Sequence, residues 1–291
     1  MYNLKTINWI TGGAISNNWA YGTNTRRLIS KLTNYNHQID NFEIGCDIVV
    51  FFDVLLMEKY HKQFTLEKKI LRLSGIRPFE KLKVDVKDLI KQVDCIVCTN
   101  KYLSDIPQHT NKIIIPNSVD ISLFNSDNYT QPEQFTVGFS GNITNDKQKE
   151  WKGYDLFLHA VKKMNLNFKI TSRSKTEIKH QNMAQDFYHQ INCLILPSIS
   201  EGCSNTISEA LACGVPVIVC NENPSYHTEN MIDGHNILFC KRTMNSICNC
   251  IRLIQDQVIW NKLSKNGQSF IRENQALDVV VNQWKEVLCK L

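Results

Sequence analysis

Two glutamates with seven residues between them, Glu201 and Glu209, sit in the run Leu196-Pro-Ser-Ile-Ser-Glu201-Gly-Cys-Ser-Asn-Thr-Ile-Ser-Glu209-Ala-Leu-Ala-Cys-Gly214-Val-Pro216-Val-Ile218. The pattern predicts a buried strand ending at Pro197, a short polar loop, a helix from about Thr206, a glycine C-cap at Gly214 and a new strand. A helix N-terminus offers unpaired amides and a partial positive charge, which suits a diphosphate. Glu201 falls in the loop and Glu209 in the first turn of that helix, so both carboxylates can face one cleft. A plainer reading stands beside this one. Thr206 and Glu209 have the spacing of a capping box, in which Glu209 serves the helix's own first amide, and Glu201 is then a solvated loop acid. Local physics leaves both readings open.

Other chemistry is thinner. The eleven cysteines are scattered and odd in number, and the eight histidines show no His-x-x-x-His spacing. Cys95 and Cys98 form a Cys-x-x-Cys by spacing, but a strand sends its residues to alternate faces and buries them, so they read as core cysteines. Cys248 and Cys250 lack a second pair at zinc spacing. No metal site is expected, and free thiols in this number suit a reducing cytoplasm. In the segment Thr11-Gly-Gly-Ala-Ile-Ser-Asn-Asn-Trp-Ala-Tyr21-Gly, paired glycines let backbone approach a ligand. Trp19 and Tyr21 read either as stacking surfaces for an acceptor or as anchors of the loop.

These residues need a frame. Short apolar runs alternate with amphipathic stretches. Strands are expected at 7–11, 47–52, 69–73, 95–98 and 113–115, then at 135–139, 168–171, 193–196 and 215–219. Between them Phe157, Ala160, Val161 and Met164 mark one face of a helix over 154–164. Strand–helix alternation with nearly continuous apolar strands implies parallel sheets covered on both faces. The polar, proline-bearing stretch near 125–134 reads as a linker. The expected organisation is a first Rossmann-like domain at 1–125, a linker at 126–134, a second Rossmann-like domain at 135–272, and a C-terminal helix at 273–291 that packs back on the first domain. Open parallel sheets bind ligands at the carboxyl ends of their strands, so a cleft between the two domains is the default site.

With 291 residues, 43% of them hydrophobic, the chain has ample core for two domains. The longest apolar run, Cys46 to Met57, is broken by Asp47 and Asp53 and is too short to span a bilayer. Residues 1–13 lack a basic region followed by an apolar run and cleavage site, so no signal peptide is expected. Residues 1–125 hold 16 Lys and Arg against 12 Asp and Glu, whereas the remainder is nearly balanced at 17 against 16. Lys59, Lys62, Lys68, Lys69, Arg72 and Arg77 form a cluster that reads as solvated surface or as a face for an anionic partner, a lipid surface or nucleic acid.

The run around Glu201 and Glu209 resembles the signature of family-4 retaining glycosyltransferases of the GT-B fold: a Glu, seven residues, a second Glu, then Ala and a Gly-x-Pro-Val strand. Other segments are similar to that family in order and spacing. They are Ile115-Pro-Asn-Ser-Val-Asp120 with Phe124, Val137-Gly-Phe-Ser-Gly141-Asn142 followed by Lys152-Gly153, Met231-Ile-Asp-Gly-His-Asn-Ile-Leu-Phe239, and Gly12-Gly13. The resemblance implies two facing Rossmann-like domains and transfer, with retention, of a hexose-type sugar from a nucleotide-diphosphate sugar. It implies that Glu201 meets the sugar hydroxyls and Glu209 the ribose. Gly202, Cys203 and Ser204 approach sugar and phosphates, Asn205 and Thr206 start the helix, and Gly13, Gly141 and Asn142 lie at the donor. No cofactor and no metal are implied.

Departures matter as much. Asn142 stands where the family has Arg, which shifts diphosphate neutralisation to Lys152, with Lys147, Lys149 or Arg173 in support. A lysine is a point charge and does not reproduce the bidentate fork of arginine. Read without the family, Lys152 is an exposed lysine at a helix start, opposed to the helix dipole. Ser74 stands near the place of a family His close to the donor sugar. The expected acceptor is a saccharide or lipid-linked saccharide. Modified bases of DNA are an alternative through the basic first domain, as is peripheral contact of a cytoplasmic protein with a membrane. A sugar-nucleotide epimerase and a non-catalytic sugar-nucleotide-binding module remain as other readings.

Overall fold

A computed structural model describes residues 4–16, 20–43, 45–75, 77–172, 178–226 and 230–291, with backbone alone at Ala20, Tyr21, Arg77 and Glu80. The chain divides into two compact units, Met1–Ser118 with Leu277–Leu291, and Val119–Ala276.

In the first unit the elements run β1 (Thr6–Ile10), α1 (Ala20–Lys31), β2 (Asn36–Ile39), β3 (Ile48–Phe51), α2 (Val54–Tyr60), β4 (Lys68–Leu73), α3 (Val86–Ile90), β5 (Cys95–Cys98), α4 (Lys101–Asp105) and β6 (Lys112–Ile114). The six strands lie in the order β2-β1-β3-β4-β5-β6, every pair parallel. The Ile-Val-Val-Phe run of β3 is buried at all four positions, as a strand covered on both faces requires. Its odd and even residues feed separate cores. Ile48 and Val50 join Ile7, Trp9 and Cys95 on one face, while Val49 and Phe51 join Ile10, Met57 and Cys98 on the other. Cys95 and Cys98 thus take opposite faces of one strand. Burial pushes the Cys95 thiol up to about 11 and the Cys98 thiol up to about 12, so neither is poised as a nucleophile.

The C-terminal helix, Leu277–Lys290, buries Val280, Trp284, Val287 and Leu288 in the first of these cores. The Trp284 ring meets Trp9 edge-on at 5.5 Å. Helix starts in this unit are set by side chains. Asp53 accepts from the Leu56 amide at 2.9 Å and Asn100 from the Leu103 amide at 2.8 Å, the usual N-cap arrangement.

The second unit runs β7 (Thr136–Ser140), α5 (Asp146–Lys152), α6 (Tyr154–Lys163), β8 (Asn167–Thr171), α7 (Met183–Asp186), β9 (Cys193–Leu196), α8 (Asn205–Ala212), β10 (Val217–Cys220), β11 (Leu238–Cys240), α9 (Met244–Ile254) and α10 (Gln257–Asn274). Its parallel sheet has the order β11-β10-β9-β7-β8. From β7 the chain crosses to β8 on one side, then returns to β9 on the other. The order therefore reverses at β7 and β9, and the crevice beyond the carboxyl ends of those two strands is the ligand position that this topology favours.

The stretch 126–134, expected to link the units, packs on the second one. Tyr129 stacks on Trp260 with centroids 5.8 Å apart and donates to the Ile191 carbonyl at 2.8 Å. Ser126 donates to Gln268 at 2.8 Å. One aromatic ring in a polar stretch was enough to fasten it. The basic cluster of the first unit also changes on inspection. Arg72 is 5% exposed, donates to Asn117 at 2.5 Å and lies over the Phe52 ring, so it is an interior residue. Lys68 is paired with Asp94 at 2.8 Å.

Candidate active site

Three chain segments converge at the carboxyl ends of β7 and β9. The last turn of α5 brings Lys152, the loop after β9 brings Glu201, and the turn after β7 brings Gly141. Lys152 and Glu201 form an ion pair through Nζ and Oε1, with side chains 20% and 14% exposed. Half-shielded charges of this kind attract more strongly than surface pairs yet stay within reach of solvent. The Lys152 stem passes over Gly141, where an added Cβ would lie 3.5 Å from its Cγ and Cδ.

Local chemistry explains the convergence. Gly153 ends α5 in the left-handed region at φ 68° and starts α6 in the same step. A Cβ there would fall 2.7 Å from Pro197 Cγ and closer still to the Pro197 carbonyl oxygen, so only glycine lets α5 approach the end of β9. The Ile199 amide then donates to the Trp151 carbonyl at 2.9 Å, and Trp151 Nε1 donates to the Ser200 carbonyl at 3.0 Å. Arg242 ties the same two segments from behind. Its Nε donates to the Pro197 carbonyl at 3.1 Å and its Nη2 to the Glu150 carbonyl. Lys152 is therefore the last residue of a helix, where a cation complements the dipole, and not the helix-start lysine that its sequence context suggested.

The helix mouth after the loop is α8, with Ser204 at its N-cap and no side-chain cap bond. Glu209 is the fifth residue of α8, two residues beyond the position a capping box requires. Its carboxylate is 2% exposed and bonded elsewhere. His180 Nε2 donates to Oε1 at 2.7 Å and the Tyr188 hydroxyl donates to Oε2 at 2.9 Å. Burial, then the Glu209 charge, raises the Tyr188 phenol well above its ordinary range. Burial first and the charge of Glu201 second do the same to Tyr226, which places that phenol within electrostatic reach of Glu201. Asn205 Oδ1 is buried with no hydrogen-bond partner among the described residues.

The remaining expected residues are placed as follows. Asn142 turns into its own loop, accepting from the Thr144 amide at 3.2 Å. Gly202, Cys203 and Ser204 lie between Glu201 and the start of α8 and are partly exposed. In the first unit Gly12 and Gly13 both take positive φ, 60° and 79°. Their amides each donate to the Asp40 carboxylate at 3.0 Å, joined by the Thr11 amide at 2.6 Å and the Thr11 hydroxyl at 2.8 Å. The amide of Gly13, expected at the donor, belongs to Asp40 in this structure. Ser74 is partly buried just beyond β4. Trp19 and Arg173 lie outside the described residues, and Tyr21 is described by its backbone only. Among the described residues no cluster of three or more His, Cys, Asp or Glu is arranged for a metal, and no helix is long and apolar enough to cross a membrane.

Arg242, His180, Tyr188 and Tyr226 were not found from sequence. They lie in segments without periodicity or spacing signals, and only the fold brings His180 and Tyr188 to Glu209 and Arg242 to the backbone behind the Lys152–Glu201 pair.

Two Rossmann-like units with parallel sheets, in one chain, are the GT-B glycosyltransferase architecture. The chain superposes on sucrose-phosphate synthase of Thermosynechococcus elongatus with a TM-score of 0.80 at 14% identity, covering 98% of each chain. It superposes on Anabaena HepE, solved with UDP and glucose, with a TM-score of 0.71 at 12% identity over 99% of this chain and 100% of that one. Residues 134–256 match the model of the family described as Glycosyl transferases group 1, a stretch that lies within the second unit. An uncharacterized glycosyltransferase of Methanocaldococcus jannaschii, MJ1178, is 27% identical over 205 residues, which is 62% of this chain and 55% of that protein. The match thus spans little more than half of that relative's length.

Proposed function

We propose that the chain is a retaining, metal-independent glycosyltransferase. It moves a hexose-type sugar from a nucleotide-diphosphate sugar to a saccharide or lipid-linked acceptor. The observation that carries this is the Lys152–Glu201 pair at the strand-order reversal, next to the mouth of α8. Glycosyl transfer must stabilise a departing diphosphate and hold an oxocarbenium-like sugar. Lys152 supplies a positive charge where the leaving group gains negative charge, and the amide end of α8 adds its dipole. Lys152 has Glu201 as counter-ion until a phosphate takes that place. Glu201 is then released to accept from the sugar hydroxyls and fix their orientation. Glu209 is assigned to the ribose hydroxyls. Retention with the departing phosphate as base needs no further base from the chain.

Structural neighbours guide the choice of donor. HepE has been solved with UDP-glucose and the pneumococcal O-GlcNAc transferase GtfA with UDP and GlcNAc. A panel of UDP-, GDP- and ADP-sugars read by thermal shift is the first experiment. A ligand at a hundred times its dissociation constant stabilises by about 2.7 kcal/mol. With the donor in hand, Glu201→Ala should lower turnover and Glu209→Ala should raise the donor's dissociation constant. Full activity in both variants would refute the assignment. The DNA alternative loses ground because Arg72 is internal and Lys68 is neutralised by Asp94, and steep salt dependence of DNA binding is what would restore it.

A further inference from the structure

The two partners of Glu209 differ in how completely they are built in. Tyr188 is fully buried. Its hydroxyl donates to Glu209. His180 satisfies only one ring nitrogen. Nε2 donates to Glu209, while Nδ1 is buried and has no hydrogen-bond partner among the described residues. The side chain is 8% exposed, its ring 5.1 Å from Phe124. A buried ring nitrogen without a partner loses its hydration and gains nothing in return. Tyr129, Trp151 and Trp260, by contrast, place their polar atoms on carbonyls.

Access to the carboxylate points the same way. At 2% exposure, Glu209 cannot accept from an incoming hydroxyl unless a neighbour leaves. Tyr188 is wholly buried with its hydroxyl on Glu209, and Cys213, which lies within electrostatic reach of Glu209, is buried at the end of α8. His180 is the partner with the weakest hold. We propose that His180 is a specificity-determining residue of the nucleotide subsite. Its imidazole N–H occupies the Glu209 acceptor that a ribose hydroxyl takes, and nucleotide binding exchanges one donor for the other while Tyr188 keeps the carboxylate oriented. The exchange conserves hydrogen bonds at Glu209 and frees both His180 nitrogens to find water. A ligand without that hydroxyl cannot displace the imidazole, so it loses the contact with Glu209 and His180 keeps its bond. The role depends on the assignment of Glu209 to the ribose.

The test measures dissociation constants of UDP and 2′-deoxy-UDP by calorimetry on the full chain, with GDP or ADP and their 2′-deoxy forms substituted if UDP does not bind. His180→Ala should tighten ribonucleotide binding by about tenfold, the weight of one hydrogen bond to a charged group. His180→Phe, which keeps a ring against Phe124 but no nitrogen, should shift in the same direction and guards against a folding artefact in the first variant. Tyr188→Phe should weaken binding by a similar factor. Unchanged or weaker ribonucleotide binding in both His180 variants would overturn the proposal and make His180 an ordinary support of Glu209. Glu209→Ala separates the two levels. If it brings the deoxyribo-to-ribo ratio close to one while the His180 variants fail, only the exchange is wrong. If that ratio is unmoved, or no nucleotide binds the wild-type chain, the ribose assignment falls and the exchange with it.

Discussion

The glycine turn after β1 and the loop after β9 are made of the same parts: a parallel strand, a short loop and a helix. They end in opposite electrostatic states. In the first, Asp40 fills the turn with the chain's own carboxylate, accepting from three amides and a hydroxyl. In the second, a lysine is held by a partly exposed carboxylate beside the helix start. A turn whose donors are already satisfied gains little from a phosphate. A lysine whose counter-ion can be exchanged gains much. Two similar sheets thus come to differ in which of them is equipped for an anion, and the difference is set by a single side chain in each.

The sharpest way to break the second region is Gly153→Ala. An alanine there is strained at φ 68° and collides with Pro197, which should cost on the order of 3 kcal/mol in urea unfolding and abolish turnover, because α5 can no longer seat Lys152. A fully active, equally stable variant would show that the approach of α5 to β9 does not matter. For the first region, Asp40→Ala leaves the amides of Thr11, Gly12 and Gly13 without their acceptor. It should destabilise by about 2 kcal/mol while leaving nucleotide affinity within about twofold of wild type. A large change in affinity would mean that the glycine turn belongs to the donor after all.

The sequence was most informative where burial dictates residue type. The expected strands lie within about two residues of those observed, because runs such as Ile48–Phe51 and Cys193–Leu196 are buried on both faces and admit only apolar residues. β2 escaped notice. Its Asn-His-Gln-Ile run is an edge strand held by backbone pairing, with no buried face to impose a pattern. β11 is only three residues long at the opposite kind of edge. In the site, the spacing of Glu201 and Glu209 singled out the loop before α8, and the family resemblance pointed to the Lys152-Gly153 pair. The sequence did not reveal that Lys152 ends a helix, or that Glu209 lies beyond capping range of its own helix start. Nor did it reveal the residues that hold these groups. Asp40, His180, Tyr188 and Arg242 act across 21 to 92 positions of chain, and such partners are selected by geometry that no local pattern encodes.

The central claim is that Lys152 stabilises the departing diphosphate. It is tested most directly by single-turnover kinetics of Lys152→Met against wild type at saturating sugar nucleotide. The methionine keeps most of the stem over Gly141 and removes only the charge. Turnover should fall by roughly 10²–10³-fold with a much smaller change in nucleoside diphosphate affinity. A variant that turns over at the wild-type rate would contradict the account.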